Sequence, residues 1–220
     1  MTEYCLGALE HVGHHSESRS PCLSEYMEVR RRGVGVTPVI ALMEYALQLE
    51  IPDHVYQQEC FGKLKQVVID VILIQNDIIS YKKEQADGVP HNLITVLRNG
   101  GMTTQEAFNH AGEMLNKCYQ EWLDVKAEFP AGEDLAKFVE GTRTIMLASL
   151  HWHFRSDRYF GEMKDIVRQH KIVCLEQESR MVVPSGLKLV VSAFQDWMNT
   201  FKKHVEVLTS YMQSGQVPKS

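Results

Sequence analysis

Apolar positions recur three and four residues apart along nearly the whole chain, the spacing of helices that bury one face. Thr37 as an N-cap, with Pro38 in the first turn, predicts a helix over residues 38–50 that "EIPDH" brings to an end. A second helix is predicted over residues 54–86, stopping at the Gly and Pro break in "ADGVP". "HNLITVL" reads as a short helix. The loop "NGGMTTQE" follows, and its Thr103 and Glu106 fit a capping box for a helix reaching Phe129. "PAGED" restarts the chain into a helix over residues 134–159. Further on, Leu187, Val190, Val191, Phe194, Trp197, Met198, Phe201, Val205 and Leu208 keep the same spacing and predict an amphipathic helix. That helix either packs on its own chain or binds a helical protein partner. Strand signals are limited to short Val-rich pieces such as "MVVP", so the fold class is all-α.

Composition narrows the picture. At 220 residues and 44% hydrophobic the chain can hold one sizeable core or two small ones, and one domain is favoured. A formal charge of −5, with the basic residues scattered, offers no field for a phosphate backbone and argues against nucleic acid as a partner. Cys5, Cys22, Cys60, Cys118 and Cys174 are odd in number and form no CxxC, as expected of reduced thiols in a cytoplasmic protein. Residues 1–20 carry His11, His14 and His15 among acids and hydroxyls where a secretion leader needs a continuous apolar run, so none is expected. The apolar run "VVIDVILI" is interrupted at Asp70 and closes at Gln75, too short for a membrane span.

The end of that run carries the candidate chemistry. In "NDIISYKKE", Asn76, Ser80 and Glu84 follow one another at intervals of four, so at roughly 3.6 residues per turn they fall on one helical stripe. All three offer hard oxygens, and Glu84 is long enough to lean back along the helix toward the other two. Hard oxygens with few charges suit Mg²⁺, which shares its shell with waters and with a substrate phosphate. Lys83 beside them would meet the same phosphate as a point charge. The competing reading is a solvated helix end where the core runs out, and spacing alone leaves both open.

The wording of the motif is more specific than its spacing. "NDIISYKKE" resembles the signature of class I terpene synthases in which Asn, Ser and Glu bind magnesium on the substrate diphosphate. Upstream, "EYMEVRRRGVGVTP" is similar to a segment of the fungal-type sesquiterpene synthases that carries a diphosphate-sensing arginine, here Arg30. Downstream, "WHFRSDRYF" resembles that family's segment whose Arg and Tyr bond the diphosphate, here Arg158 and Tyr159. "HNLITVL" also looks like a helix of the family. The resemblance implies the helical isoprenoid synthase fold and a Mg²⁺-dependent ionisation and cyclisation of a prenyl diphosphate, farnesyl diphosphate fitting best. It assigns Asn76, Ser80 and Glu84 to the metal, and Arg30, Lys83, Arg158 and Tyr159 to the diphosphate. Such a reaction also needs a dry, aromatic-lined cavity to shield the carbocation.

The chain departs from the family in three places. The family's aspartate-rich motif lies on a helix before all the matched segments, and here no two aspartates are adjacent. The resemblance therefore implies an incomplete barrel, with residues 1–160 as the C-terminal half of the synthase domain, residues 161–220 as an unmatched helical extension, and the N-terminal half as a missing partner. Gly33, three residues after Arg30, stands where the family commonly has Thr or Asp. A non-catalytic helical remnant, or a partner-binding protein, is the alternative. Three weaker signals fit ordinary roles better. His11, His14 and His15 lack further ligands at zinc spacing; His151 and His153, flanking Trp152, alternate faces of a helix; "GVG" at 33–35 lacks the strand context of a phosphate loop.

Overall fold

The computed structural model describes residues 21–165 and 167, and within them every regular element is helical. Helix α1 spans Leu23–Gly33, α2 Val36–Ala46, α3 Asp53–Tyr56, α4 Glu59–Ala86, α5 Leu93–Asn99, α6 Thr104–Glu128, α7 Glu133–Arg155 and α8 Asp157–Phe160. A single 3₁₀ turn, Gly161–Met163, follows. The all-α expectation holds for these residues. The amphipathic stripe of residues 187–208 lies outside them.

Helix α4 is the axis of the molecule and packs against each of the other α-helices. Its apolar run explains why, since Val67, Val68, Ile69, Val71, Ile72, Leu73 and Ile74 are all buried, and a helix apolar all round is stable only when surrounded. Long helices α6 and α7 cover much of it, closing a core in which Phe61 stacks on Phe138 at 4.8 Å and Tyr81 meets Phe108 edge-on at 5.4 Å. Buried Trp122 donates its indole N–H to Thr142 Oγ1 at 3.3 Å, and the Thr142 hydroxyl donates to the Val139 carbonyl at 2.7 Å, so this polar group is satisfied. The capping box read from Thr103 and Glu106 is present, with Thr103 N donating to Glu106 Oε2 at 2.8 Å and Glu106 N to Thr103 Oγ1 at 3.3 Å.

Three element boundaries differ from the sequence reading. The helix placed over 38–50 begins at Val36 and ends at Ala46, with Gly35 and not Thr37 as its N-cap. Gly35 sits at φ 76°, a left-handed conformation open to glycine, which makes "GVG" the corner between α1 and α2. The helix placed over 54–86 is two, broken where Gln58 takes an extended conformation. Val55 and Phe61 are both buried, yet in one unbroken helix six residues at about 100° each would put them on different faces. The break turns both inward. The helix placed over 134–159 is likewise broken at Ser156, whose hydroxyl caps α8 by accepting from Arg158 N at 3.1 Å. That corner folds Arg158 and Tyr159 back against α4. Close approach also depends on Gly141 in α7, where a Cβ would lie 2.1 Å from Met43 Sδ of α2.

Candidate active site

Two acids inside the apolar run of α4, Asp70 and Asp77, are one heptad apart and so lie nearly in line along the helix. Consecutive arginines of α1 take one each. Arg31 grips Asp70 with Nε at 2.7 Å and Nη2 at 2.9 Å, and Arg30 reaches Asp77 Oδ1 with Nε at 3.2 Å and Nη2 at 2.9 Å. Asp77 is fully buried, and its other oxygen, Oδ2, accepts both from Leu93 N at 3.0 Å and from the Tyr26 hydroxyl. One carboxylate thus ties α1, α4 and α5 together. Burial first, and the Asp77 charge second, push the Tyr26 hydroxyl well above its ordinary pKa and keep it a donor.

The stripe predicted from spacing forms beside this anchor. Ser80 is 1% exposed, and Asp77, Ile79 and Tyr81 around it are buried, so the segment is no solvated helix end. Asn92, the N-cap of α5, bridges the stripe. Its amide Nδ2 donates to the Asp77 carbonyl at 2.8 Å and to Glu84 Oε2 at 2.8 Å, and lies 3.4 Å from Ser80 Oγ, while its Oδ1 accepts from Ile94 N at 2.8 Å. Burial, with Asp77 also nearby, raises the Glu84 pKa against the opposing bonds from Asn92 and Ser80. A carboxylate shifted in that direction is short of compensating positive charge.

Asn76 stands at the crossing of α1, α4, α7 and α8. Its Oδ1 accepts from Arg30 Nη2 at 2.7 Å, and its Nδ2 lies 3.0 Å from His153 Nε2 and 3.1 Å from Tyr159 Oη. His153 is buried, and its Nδ1 is 2.6 Å from the Ser149 carbonyl. Burial, reinforced by Arg158, holds the His153 pKa below its ordinary value despite the bond to Ser149, so the ring is neutral at neutral pH.

These groups line a single cavity of about 420 Å³, which brings together Arg30, Asn76, Lys83, Glu84, Arg158 and Tyr159 with His153 and Trp152. Six of the seven residues named from sequence face it, and Ser80 lies immediately behind, within reach of the Asn92 amide. Lys83 is at the rim, paired with Asp87 one turn on, and Arg158 is exposed with its guanidinium 5.8 Å from the Tyr159 ring centre. The sequence reading assigns no role to Asp77, Asn92, Tyr26 or His153. For Asp77 a signal existed, since a buried acid beside Asn76 needs a counterion and two arginines stood upstream. His153 carried none, because its partner is 77 residues away.

Comparison with known proteins is consistent with this geometry. Residues 1–121 match the family described as terpene synthase family 2, C-terminal metal binding. The chain is 37% identical over 180 residues to terpene cyclase 4 of Gibberella fujikuroi, an alignment that takes in 80% of this chain and 49% of that one. It is 32% identical over 178 residues to silphinene synthase peniA of Penicillium patulum, covering 79% and 48%. The chain therefore spans about half the length of the curated relatives it matches. Among solved structures, linalool/nerolidol synthase from Streptomyces clavuligerus superposes with a TM-score of 0.67 at 19% identity over 71% of this chain and 56% of that one. An α-eudesmol synthase does so with 0.63 at 25% identity over 70% and 53%. These place the fold among the class I terpene synthases. With a family match over more than half its length, the chain belongs to terpene synthase family 2, in the metal-binding C-terminal region of that family.

Proposed function

We propose that this chain is the metal- and diphosphate-binding half of a sesquiterpene synthase that ionises and cyclises a prenyl diphosphate, farnesyl diphosphate fitting best, with release of inorganic diphosphate. The observation that carries the reading is the convergence of Arg30, Lys83 and Arg158 with Asn76, Glu84 and Tyr159 on one cavity. Three cations and a phenol around a wall of hard oxygens suit a leaving diphosphate and its counterions, and the aromatic side of the cavity at Trp152 suits the apolar remainder of the substrate.

The donor set fits Mg²⁺. Asn76 Oδ1, Ser80 Oγ and the Glu84 carboxylate are hard oxygens on successive turns, and the under-compensated charge of half-buried Glu84 is what a divalent cation would relieve. Arg30 takes up one lone pair of Asn76 Oδ1 and leaves the second for a metal. When bound, magnesium neutralises charge on the departing diphosphate. In this reading Asn76, Ser80 and Glu84 hold the ion. Arg30, fixed by Asp77, and Arg158, Tyr159 and Lys83 grip the diphosphate oxygens and orient the ester bond. Residues 1–160 form the synthase half and residues 161–220 the unmatched extension, the whole acting in the cytoplasm. Among the described residues, no helix is long and apolar enough to cross a membrane.

Thermal unfolding tests the reading. A ligand that binds only the folded state raises the midpoint, by about 2.7 kcal/mol of stability at a hundredfold excess over Kd. Magnesium with inorganic diphosphate raises it, each alone has little effect, and Glu84→Gln abolishes the joint response. A wild-type midpoint indifferent to both ligands together would dismiss the site.

A further inference from the structure

A metal can use only one end of the Asn76 side chain. The carboxamide is nearly symmetric in shape, but its oxygen can hold a cation and its NH₂ cannot, so which end faces the cavity decides whether the residue is a ligand. We propose that His153 is a positioning residue that fixes this choice, holding the NH₂ of Asn76 on the side of α7 and α8 and its oxygen on the side of Arg30. The proposal rests on the reading of Asn76 as a metal ligand.

His153 Nδ1 lies 2.6 Å from the Ser149 carbonyl oxygen, which can only accept, so Nδ1 carries the ring's hydrogen. Arg30 Nη2 donates to Asn76 Oδ1 at 2.7 Å, which leaves the amide NH₂ facing His153 Nε2, so Nε2 is bare and accepts. The group facing it at 3.0 Å must donate, and of the two ends of Asn76 only Nδ2 does. Tyr159 Oη, 3.1 Å from the same Nδ2, could not make this choice alone, because a hydroxyl donates or accepts and tolerates either end. Arg30 enforces the same orientation from the other side through Oδ1 at 2.7 Å. In the proposed function, however, the Arg30 guanidinium also serves the diphosphate, so its hold on Asn76 varies with the ligand. His153 is buried and anchored to its own helix at Ser149, and the proposed function gives it no bond to the diphosphate. Its role is to keep Oδ1 presented when Arg30 also engages the diphosphate.

Two measurements on the full chain decide the proposal. Long-range proton–nitrogen NMR of the ligand-free protein at neutral pH should show a neutral His153 ring protonated at Nδ1; a proton on Nε2 overturns it. Calorimetric titration with magnesium chloride and inorganic diphosphate then compares wild type with His153→Leu, His153→Gln and Glu84→Gln. Removing an outer partner of a metal ligand costs about 10–100-fold in affinity, the loss expected in His153→Leu. His153→Gln, whose side-chain oxygen reaches the position of Nε2, should recover most of it. Unchanged binding in His153→Leu, or equal losses in Leu and Gln, overturns the proposal, the second because ring packing and not the acceptor would be at work. Wild-type binding that is absent, or that survives Glu84→Gln, removes the metal-ligand reading and this proposal with it. Binding lost in Glu84→Gln but indifferent to His153 removes the proposal alone.

Discussion

Asp77 illustrates how much a single side chain can organise. It is fully buried, accepts from Tyr26, Arg30 and the Leu93 backbone, and so joins three helices at the edge of the cavity. The Arg30 side chain is only 13% exposed, so the pair is largely withdrawn from solvent. Removing one partner of a buried pair strands the other charge and costs about 3–5 kcal/mol. Asp77→Asn, nearly the same size, is therefore expected to lose stability of that order by urea unfolding, and adding Arg30→Met should return part of it. A loss well under 1 kcal/mol would show that the packing of α1, and not this pair, sets the position of Arg30. The residues legible in sequence were those whose spacing or wording repeats a known pattern, as Asn76, Ser80 and Glu84 do. Asp77, one position off the stripe, and Asn92, on another helix, gain their meaning from partners that only folding supplies.

Among the elements, the strongest local signals gave the most reliable helix starts. The capping box at Thr103 and Glu106 was read from four residues and opens α6 as expected, because both of its bonds are made within that turn. Thr103→Ala should cost about 1 kcal/mol, measured as a shift of the urea midpoint without a change in slope. No measurable loss would mean that the packing of α6 on α4 and α5 holds its first turn without the cap. Where local signals and the core disagreed, the core prevailed. Thr37 and Pro38 are good helix-start residues, yet α2 begins at Val36 because Gly35 makes the corner from α1 and Val36 is buried. The breaks at Gln58 and Ser156 likewise turn residues inward that a continuous helix would leave outside or misdirect.

At the scale of the whole molecule, the described residues build one wall of the cavity. Its ionic side is formed by α1, α4, α7 and α8, while the relatives it matches are about twice as long. Among the described residues, Leu42 and Tyr45 of α2 are 65% and 84% exposed, an apolar surface of the kind that a further element covers. Losing one preorganised electrostatic contact costs about 10²–10³ in rate, and an open cavity lets water quench a carbocation. The 220-residue chain with farnesyl diphosphate and magnesium is therefore expected to give no cyclic product above a no-enzyme control, with any turnover ending in acyclic alcohol. Adding the N-terminal half of a relative such as terpene cyclase 4, fused or as a separate chain, should restore cyclisation. Gas chromatography of the headspace reads both. A cyclic sesquiterpene from the chain alone, lost in Asn76→Ala, would show that one wall suffices.

The sequence by itself determined the all-α class, the central apolar helix, the capping of α6 and the stripe of hard oxygens, because each follows from interactions within a few residues along one helix. It did not determine that Arg30 and Arg31 divide Asp77 and Asp70 between them, that Asn92 spans Ser80 and Glu84, or that His153 faces Asn76. Those contacts join residues far apart in the chain, and their existence depends on where α1, α5 and α7 cross α4. Periodicity tells a helix which face to bury; which side chain meets which across that face is settled only when the helices pack.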